Sequence, residues 1–311
     1  MDDGNTPIMD AATQLAEASG LNITPRAAVQ QLLQTEALLV MDEVGTLDSV
    51  VFQGGSSIVR CYDGVRMSED LDFRMASAVT VPEITEVADT LTRRVRSRLG
   101  TEPEVKIRGF EAADPKHTSC LTIKTSVSTN KAAPKVMTKL DFDALPVMES
   151  VLRPCHSPID ALRGISMPNL LAKTPDELVA DKVTSAALTG LAGRRNPRTR
   201  DAFDICWLFD RYSLDLQAVG EMARLKAADY GHEEGDLAEG IRAFCASISN
   251  DGFSPITSLA PMMWDDATYE RLLDPQAAHD LVLRFAGVCS VALGEPSLRA
   301  MPSVPKPRRG V

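Results

Sequence analysis

A run of four small residues stands directly after a short apolar segment of the sequence. A glycine- and serine-rich turn lets the backbone approach a ligand closely, and the helix that follows it directs free N–H groups at an anion. We therefore predict that this run forms a cradle for the phosphates of a nucleotide. Its members are Gly54, Gly55, Ser56 and Ser57.

Two aspartates follow at a short distance, Asp70 and Asp72, with Leu71 between them. Alternate side chains of a β-strand point to opposite faces, so the two carboxylates share one face while Leu71 enters the core. Carboxylates held side by side repel each other unless a cation lies between them, and hard oxygen ligands suit Mg²⁺. Taken singly, the glycine run is also typical of a tight turn, and the aspartate pair of a solvated strand edge. Together they favour a nucleotide whose metal ion bridges both.

Patterns of apolar residues indicate the elements that must position these groups. Residues 24–44 have apolar side chains at helical spacing after Thr24 and Pro25, which are typical of a helix start. Residues 81–100 predict a second helix, closed by Gly100. Short apolar or alternating segments predict strands at residues 49–53, 71–75, 104–108, 118–127 and 135–143.

The C-terminal part of the chain differs in pattern, since almost everything after Pro158 has helical spacing. We expect an α/β (α+β) N-terminal domain on a small mixed sheet, followed by a mainly helical C-terminal domain. A loop at residues 150–158 is the expected boundary, which gives domains at residues 1–155 and 156–300. The proline- and arginine-rich residues 301–311 are expected to form a disordered tail.

The first motif resembles that of the polymerase-beta-like nucleotidyltransferases, in which a strand leads into Gly-Gly/Ser and then, after a spacer, into Asp-x-Asp. Thirteen residues, 57–69, separate Ser56 from Asp70. The longer wording, FQGGSSIV followed by RMSEDLDF, is more narrowly similar to the AbiEii/AbiGii-type toxins, which include the mycobacterial Men toxins. Their usual form is GGT-small-Leu and then R-x-S-x-D-hydrophobic-D. Here Ser56 replaces the threonine and Ile58 replaces the leucine.

A second block supports the narrower resemblance. Helix-start signals at Thr174 and Pro175 place Lys182 about two turns inside a helix. The toxin family carries E-x-x-x-x-K and then R-D-x-x-D in this part of the chain, and that lysine and one aspartate serve its active site. The resemblance therefore implies that Lys182 acts together with Asp204 or Asp201. Without the family, Lys182 is interpreted as a surface lysine, and Asp201 as an acid that complements a helix dipole.

A third carboxylate is expected on a neighbouring strand. In KVMTKLDFD the period of two puts Lys139, Asp141 and Asp143 on one face and Leu140 and Phe142 on the other. Asp141 is the better choice because core residues flank it, whereas Asp143 lies where the strand ends. In the wider superfamily such an acid completes the metal site, but a purely structural role for Asp141 stays open.

The resemblance implies a Mg²⁺-dependent transfer of a nucleotide from an NTP to RNA, and most specifically to the 3′ end of tRNA, which blocks translation. Phosphoryl-type transfer depends mainly on alignment and charge neutralisation. The expected site residues are the metal ligands Asp70, Asp72 and Asp141, the nucleotide ligands Gly54, Gly55, Ser56, Ser57, Lys182 and Asp201, and Asp141 or Asp204 at the acceptor hydroxyl.

The family resemblance also implies a cognate antitoxin protein as a partner. In similar toxins, phosphorylation of a serine that matches Ser68 is one way in which the antitoxin silences the enzyme. Strand alternation would place Ser68 on the side of Asp70 and Asp72 if the extended conformation already begins there. A phosphate would bring roughly two negative charges beside the carboxylates and repel NTP. The alternative is that Ser68 only ends the preceding loop.

Composition limits the setting of this chemistry. The 311 residues are 44% hydrophobic and 24% charged, with a net charge of -10. No apolar run approaches the length of a membrane span, and the acidic start MDDGNTPIMD is unlike a secretory signal, so we expect a cytoplasmic protein. The six cysteines are too far apart in sequence to suggest a zinc site or a disulfide framework. Lysines without acids at residues 116–139, and arginines at residues 194–200, would suit an RNA backbone.

Functions of other classes stay open at this point. The chain could bind nucleotide or RNA without catalysis. It could be a DNA-binding regulator with residues 24–44 in a helix-turn-helix, although no turn and basic second helix follow them. Among enzymes, a protein hydroxyl or a small molecule could replace RNA as the acceptor.

Overall fold

The structure is a computed structural model and describes residues 6–75, 81–109, 119–129, 134–193 and 198–299. Several residues of the sequence predictions lie outside this described part: the tail at 301–311 and the basic residues Lys116, Lys131, Arg194 and Arg195.

The chain divides into two units. The first comprises Met1–Thr174 and Met262–Asp266, and the second comprises Pro175–Pro261 and Ala267–Val311. The main division therefore falls after Thr174. The sequence places the domain limits at residues 1–155 and 156–300, and these limits stay a prediction.

One mixed sheet organises the first unit. Its strands in the described residues are β1 (Val50–Gln53), β2 (Leu71–Met75), β3 (Pro103–Gly109), β4 (Ser119–Val127), β5 (Val136–Asp143), β6 (Ser150–Pro154) and β7 (Asn169–Lys173). They lie in the order β3-β4-β5-β2-β1-β7-β6. The β1–β7 and β2–β5 pairs are parallel and the other pairs are antiparallel. The expected sheet strands at β1 to β5 are confirmed, with ends that differ by a residue or so.

Helices of the first unit cover one face of this sheet. They include α1 (Pro7–Ser19), α2 (Pro25–Glu43), α3 (Gly54–Cys61), α4 (Val81–Leu99) and α5 (Pro158–Leu162). The predicted start of α2 is confirmed, since the Thr24 hydroxyl accepts a hydrogen bond from the Ala27 N–H at 3.2 Å. Gly100, with φ +62°, ends α4 as expected. Helices α2 and α4 pack against β5 and β3.

Alternation along the central strands separates the core from a polar face. Leu71, Phe73, Leu140 and Phe142 are fully buried. The Phe73 ring stacks on Phe142 with centroids 5.4 Å apart, and on Phe52 at 5.1 Å. Because these side chains occupy the helix-covered face, the intervening polar residues of β2 and β5 are held on the other one.

Two features of the fold correct the sequence predictions. The expected loop at residues 150–158 is wrong, because Ser150–Pro154 form the edge strand β6 and Pro158 begins α5. The almost wholly helical pattern expected after Pro158 also missed one strand, β7, which pairs with β1 and β6. An exposed edge strand needs no alternation of apolar residues, and the apolar run of β7 is too short to distinguish a strand from a helix.

Past Thr174 the described residues are helical, which confirms the expected helical C-terminal region. Gly190 of α6 (Pro175–Leu191) and Gly240 of α9 (Glu234–Asn250) allow close contact of their helices, since a Cβ atom at either would collide with backbone of the other helix. None of the described helices is both long and apolar enough to cross a membrane. The helices are α6 (Pro175–Leu191), α7 (Thr199–Arg211), α8 (Leu216–Asp229), α9 (Glu234–Asn250), α10 (Ser254–Thr257), α11 (Asp266–Leu273) and α12 (Pro275–Leu293).

Candidate active site

Gly54 forms the turn between β1 and α3. Its φ of +73° lies in the left-handed region that favours glycine. A Cβ atom at this position would also collide with the carboxylate of Asp72. Both the backbone conformation and the close approach of Asp72 therefore require glycine here, and the start of α3 lies directly against the second predicted aspartate.

The next glycine meets two side chains from the segment before β2. A Cβ atom at Gly55 would lie 2.7 Å from Nη2 of Arg66 and 2.9 Å from Oγ of Ser68. Arg66 is buried and donates a hydrogen bond from Nη1 to the carbonyl of Met67 at 2.9 Å. Sequence reasoning did not single out Arg66 as a site residue, although it is the arginine of the R-x-S-x-D wording.

Both serines of the run use their hydroxyls within the protein. Ser56 donates to the backbone carbonyl of Asp70, and Ser57 donates to the carbonyl of Gly54 at 2.9 Å. Both residues are buried. Ser56 thus links the turn to Asp70, just before β2, whereas the Ser57 bond lies within the turn itself. The first N–H groups of a helix have no partner within it, so the backbone at the start of α3 is suited to an anion.

Three predicted acids of the first unit form what we call the carboxylate row: Asp70, Asp72 and Asp141. Asp72 and Asp141 face each other across the parallel β2–β5 pair, and Asp70 immediately precedes β2. Lys139 of β5 places its Nζ 3.4 Å from Oδ2 of Asp70. The Thr122 hydroxyl donates to Oδ1 of Asp141 at 2.6 Å. All three acids are only partly buried.

The electrostatic state of Asp141 reflects these neighbours. Burial raises the pKa of its carboxyl; the hydrogen bond from Thr122 opposes the shift, while the charge of Asp70 increases it. Asp70 and Asp141 are therefore close enough to repel each other. A cation placed among the three acids would relieve this repulsion.

The residue that competes with Asp141 in the sequence has a different environment. Asp143 forms an ion pair with Arg74, and its Oδ2 accepts a hydrogen bond from Nε2 of Gln53 at 2.9 Å. Arg74 Nε in turn donates to Oε1 of Gln53 at 2.9 Å. This buried network occupies Asp143 with partners inside the sheet. Its geometry favours Asp141 over Asp143 as the third acid of the row.

Magnesium fits the chemistry of this donor set. Mg²⁺ commonly binds one or two protein carboxylates and completes its shell with water and substrate phosphate. Among the described residues, no three His, Cys, Asp or Glu side chains form a group that could hold a metal ion by themselves. Asp72 and Asp141 supply two facing carboxylates, which suits an ion shared with a nucleotide.

The predicted residues of the second unit form a separate group, the lysine cluster of Lys182, Asp201 and Asp204. Lys182 Nζ lies 2.7 Å from Oδ2 of Asp204 and 3.2 Å from Oδ1 of Asp201. Ser185 donates to the other oxygen of Asp201 at 3.0 Å. The cluster is buried, with the Lys182 side chain 8% exposed. The interpretation of Lys182 as a surface lysine is therefore wrong.

Sequence reasoning missed a second buried lysine in the same unit. Lys226 Nζ of α8 lies 2.9 Å from Oε1 of Glu177 and 2.8 Å from Oδ1 of Asp181, both on α6. Its side chain is also 8% exposed. Nothing in the local sequence links Lys226 to α6, because the contact depends on how two helices pack.

Ser68 lies outside the strand that carries the acids, because β2 begins at Leu71. Strand alternation therefore does not determine its direction. Its hydroxyl nevertheless lies against Gly55, beside the start of α3. The carbonyl of Ser68 accepts a hydrogen bond from Nε2 of Gln34 at 2.8 Å, which fixes this segment against α2.

A turn at a helix start held against a row of acids is the arrangement expected of a nucleotidyltransferase. Residues 37–278 match the model of the family described as "Nucleotidyl transferase AbiEii toxin, Type IV TA system". The match covers most of the chain, which therefore belongs to the AbiEii nucleotidyltransferase toxin family. The family resemblance seen in the sequence is confirmed. A search of curated protein sequences gave no significant match.

Solved structures with similar folds include two bacterial proteins. The nucleotidyltransferase toxin MenT4 from Mycobacterium tuberculosis is 17% identical, with a TM-score of 0.47, over 94% of this chain and 99% of that one. JHP933 from Helicobacter pylori is 16% identical, with a TM-score of 0.48, over 88% of this chain and 96% of that one.

Proposed function

We propose that this nucleotidyltransferase moves a nucleotide from an NTP to an RNA acceptor, the 3′ end of tRNA, and thereby blocks translation. The observation that carries the proposal is the carboxylate row beside the Gly54 turn. Membership of the toxin family supports transfer as the reaction, and it supports an antitoxin as a partner. The RNA acceptor rests on the resemblance and on the basic character of the sheet described below. The setting would be the cytoplasm.

In the proposed reaction the acceptor hydroxyl oxygen bonds to the α-phosphorus while the bond to the pyrophosphate oxygen breaks. Asp70, Asp72 and Asp141 would hold Mg²⁺, which when bound neutralises charge on the triphosphate and the leaving pyrophosphate. The start of α3 would hold phosphate oxygens with its N–H groups. Gly54 and Gly55 would permit the close approach of the backbone.

The remaining assignments are proposals that follow the family motifs. Lys182 would stabilise the β- and γ-phosphates, and Asp201 would orient Lys182 through their ion pair. Asp204, or Asp141 from the row, would align the acceptor hydroxyl and accept its proton. Ser56 and Ser57 would act by shaping the turn, since their hydroxyls bond to the backbone. The N-terminal region would form the catalytic domain and the helical region would complete it.

The direct test incubates the purified chain with each labelled NTP, Mg²⁺ and total tRNA, with Asp72→Asn as the matched inactive control. We expect label on tRNA, with a preference for one NTP, and no label with the variant. Label on a protein or a small molecule, with none on RNA, would show that the acceptor is not RNA but that nucleotide transfer occurs. Binding of NTP without transfer to any acceptor would contradict the proposal.

Ser68 is proposed as the site where the antitoxin silences the enzyme by phosphorylation. A phosphate there would stand beside Gly55 and the start of α3, where the triphosphate is expected, and would repel it. We expect Ser68→Ala to retain transfer and Ser68→Glu to lose most of it. Mass spectrometry of the chain co-expressed with its antitoxin should find the phosphate. Full activity of the glutamate variant, with no phosphate on Ser68, would end this idea.

A further inference from the structure

Basic side chains continue the polar face of the sheet beyond the carboxylate row. Lys106 of β3 faces Lys124 of β4, and Lys124 faces Lys139 of β5. One step further along β3, Arg108 faces Thr122, which in turn faces Asp141. Directly opposed residues of neighbouring strands share a face, so these cations lie on the same face as the carboxylates.

The like charges on this face favour the binding of an anionic ligand. Lysines directly opposite each other across strands destabilise a sheet, so three in line cost the fold stability. Glu104 offsets part of the charge: it pairs with Lys106 and, at 2.6 Å, with Lys135. These lysines lower the pKa of Glu104 to about 2. Besides the row itself, the described polar face of β3 to β5 has the cations Lys106, Arg108, Lys124 and Lys139 and the acids Glu104 and Asp143, and Lys135 directly precedes β5. Asp143 is already paired with Arg74.

The strand order shows on which side of the carboxylate row this basic face lies. The Gly54 turn follows β1, which borders β2 on the side away from β5. The carboxylate row on β2 and β5 therefore lies between the phosphate turn and the basic face. In nucleotidyl transfer the attacking and leaving oxygens lie roughly in line on opposite sides of the phosphorus. If the triphosphate binds at the turn, the acceptor approaches from β4 and β3.

We propose that the polar face of β3, β4 and β5, with Lys106, Arg108 and Lys124, binds the phosphodiester backbone of the acceptor RNA beside its reacting 3′ end. This inference rests on the proposed transfer to RNA. The described residues of these strands hold one aromatic side chain, Phe142, and it points into the core. The face can therefore bind phosphates but cannot stack bases, so it would hold RNA without reading its sequence.

Kinetics of the double variant Lys106→Ala/Lys124→Ala provides the test. We expect the KM for tRNA to rise several-fold, while kcat and the KM for NTP stay near those of the wild type. In a plot of log affinity against log salt concentration, the magnitude of the slope should decrease by about 0.7 for each lysine removed. Lys124→Arg should retain most of the affinity for RNA. Arg242→Ala, on the exposed side of α9, removes a cation elsewhere and should change neither quantity.

The outcomes separate this inference from the proposed function. A wild type that labels RNA, together with a double variant of unchanged KM and salt slope, would overturn the basic face and leave the transfer reaction standing. A wild type that labels no RNA would overturn the proposed function. In that case fluorescence anisotropy with labelled tRNA tests the basic face alone. Equal tRNA binding by the wild type and the double variant would overturn the inference. A double variant that loses antitoxin binding but keeps its RNA binding would overturn it as well.

Discussion

The carboxylate row of the first unit and the lysine cluster of the second differ in how far their charges are exposed to solvent. The three acids of the row are partly exposed, and Lys139 Nζ lies 3.4 Å from Oδ2 of Asp70. The lysine cluster is buried, and its cation lies within 3.2 Å of both acids. The row is open to solvent on its polar face, while the lysine cluster holds its cation between its own acids.

Because the carboxylate row is exposed and the lysine cluster is buried, the row is the group that can accept a cation from solution. Acids that face each other across strands gain from a bound metal ion, because it removes their repulsion. A buried lysine between two acids is already neutralised in part, and removing it leaves acids that water cannot reach. Sequence patterns predict both groups, yet substitutions in the two groups should lower stability by different amounts.

The largest expected effect comes from Asp72→Asn. Transfer should fall by more than about 100-fold, since even indirect partners of metal ligands are worth about 10- to 100-fold. The melting temperature should change little, because the side chain is only partly buried and asparagine has nearly the same size and shape as aspartate. Steady-state transfer assays and thermal melts check both parts. Near-normal transfer would show that the row is not the metal site.

The second effect tests the lysine cluster against a matched group. Lys182→Met and Lys226→Met each remove a lysine that is 8% exposed and lies between two acids. Each should lower the free energy of unfolding by about 3–5 kcal/mol. If Lys182 also contacts the triphosphate, only its variant should raise the NTP requirement beyond what lost stability explains. Denaturant unfolding and transfer kinetics at low temperature give the two quantities.

Equal kinetics of the two variants would assign Lys182 a structural role alone.

Asp204→Asn separates nucleotide binding from transfer, because the proposed role of Asp204 concerns the acceptor hydroxyl. NTP binding by calorimetry should stay near that of the wild type, while transfer should be lost. Loss of NTP binding together with transfer would contradict that assignment.

The smallest effect concerns the turn. Gly54→Ala and Gly20→Ala both place a side chain at positive φ, +73° and +63°. Each should lower stability by about 1–2 kcal/mol from the left-handed conformation alone. A Cβ atom at Gly20 meets open space, whereas one at Gly54 meets the Asp72 carboxylate. Only Gly54→Ala should therefore also reduce transfer; equal activity of the two variants would show that Asp72 tolerates displacement.

Local sequence patterns predict much of the carboxylate row. Alternation assigns Asp70 and Asp72 to the face opposite Leu71, and Asp141 to the face opposite Leu140, because side-chain direction follows a period of two within a strand. The pattern does not give the register that places Asp72 opposite Asp141 and Thr122 beside it, because strand pairing depends on contacts distant in sequence.

The same limit explains what sequence reasoning missed. Arg74 and Gln53 come from β2 and β1, and their network with Asp143 forms only when β5 joins them. Lys226 meets Glu177 across a helix pair, with no local spacing to indicate it. Edge strand β6 shows no alternation, since most of its side chains are exposed. Long-range packing, and not residue type, decided each of these cases.

Binding of Mn²⁺, measured by electron paramagnetic resonance with a non-hydrolysable NTP, shows directly whether the carboxylate row holds a metal ion, because it reports metal binding without catalysis. Mn²⁺ accepts the same oxygen ligands as Mg²⁺. We predict one NTP-dependent Mn²⁺ site in the wild type, with affinity reduced more than about 10-fold in Asp72→Asn and in Asp141→Asn. Asp143→Asn, whose carboxylate pairs with Arg74, should bind Mn²⁺ as the wild type does. Equal Mn²⁺ binding by all four proteins would contradict the assignment of the carboxylate row as the metal site.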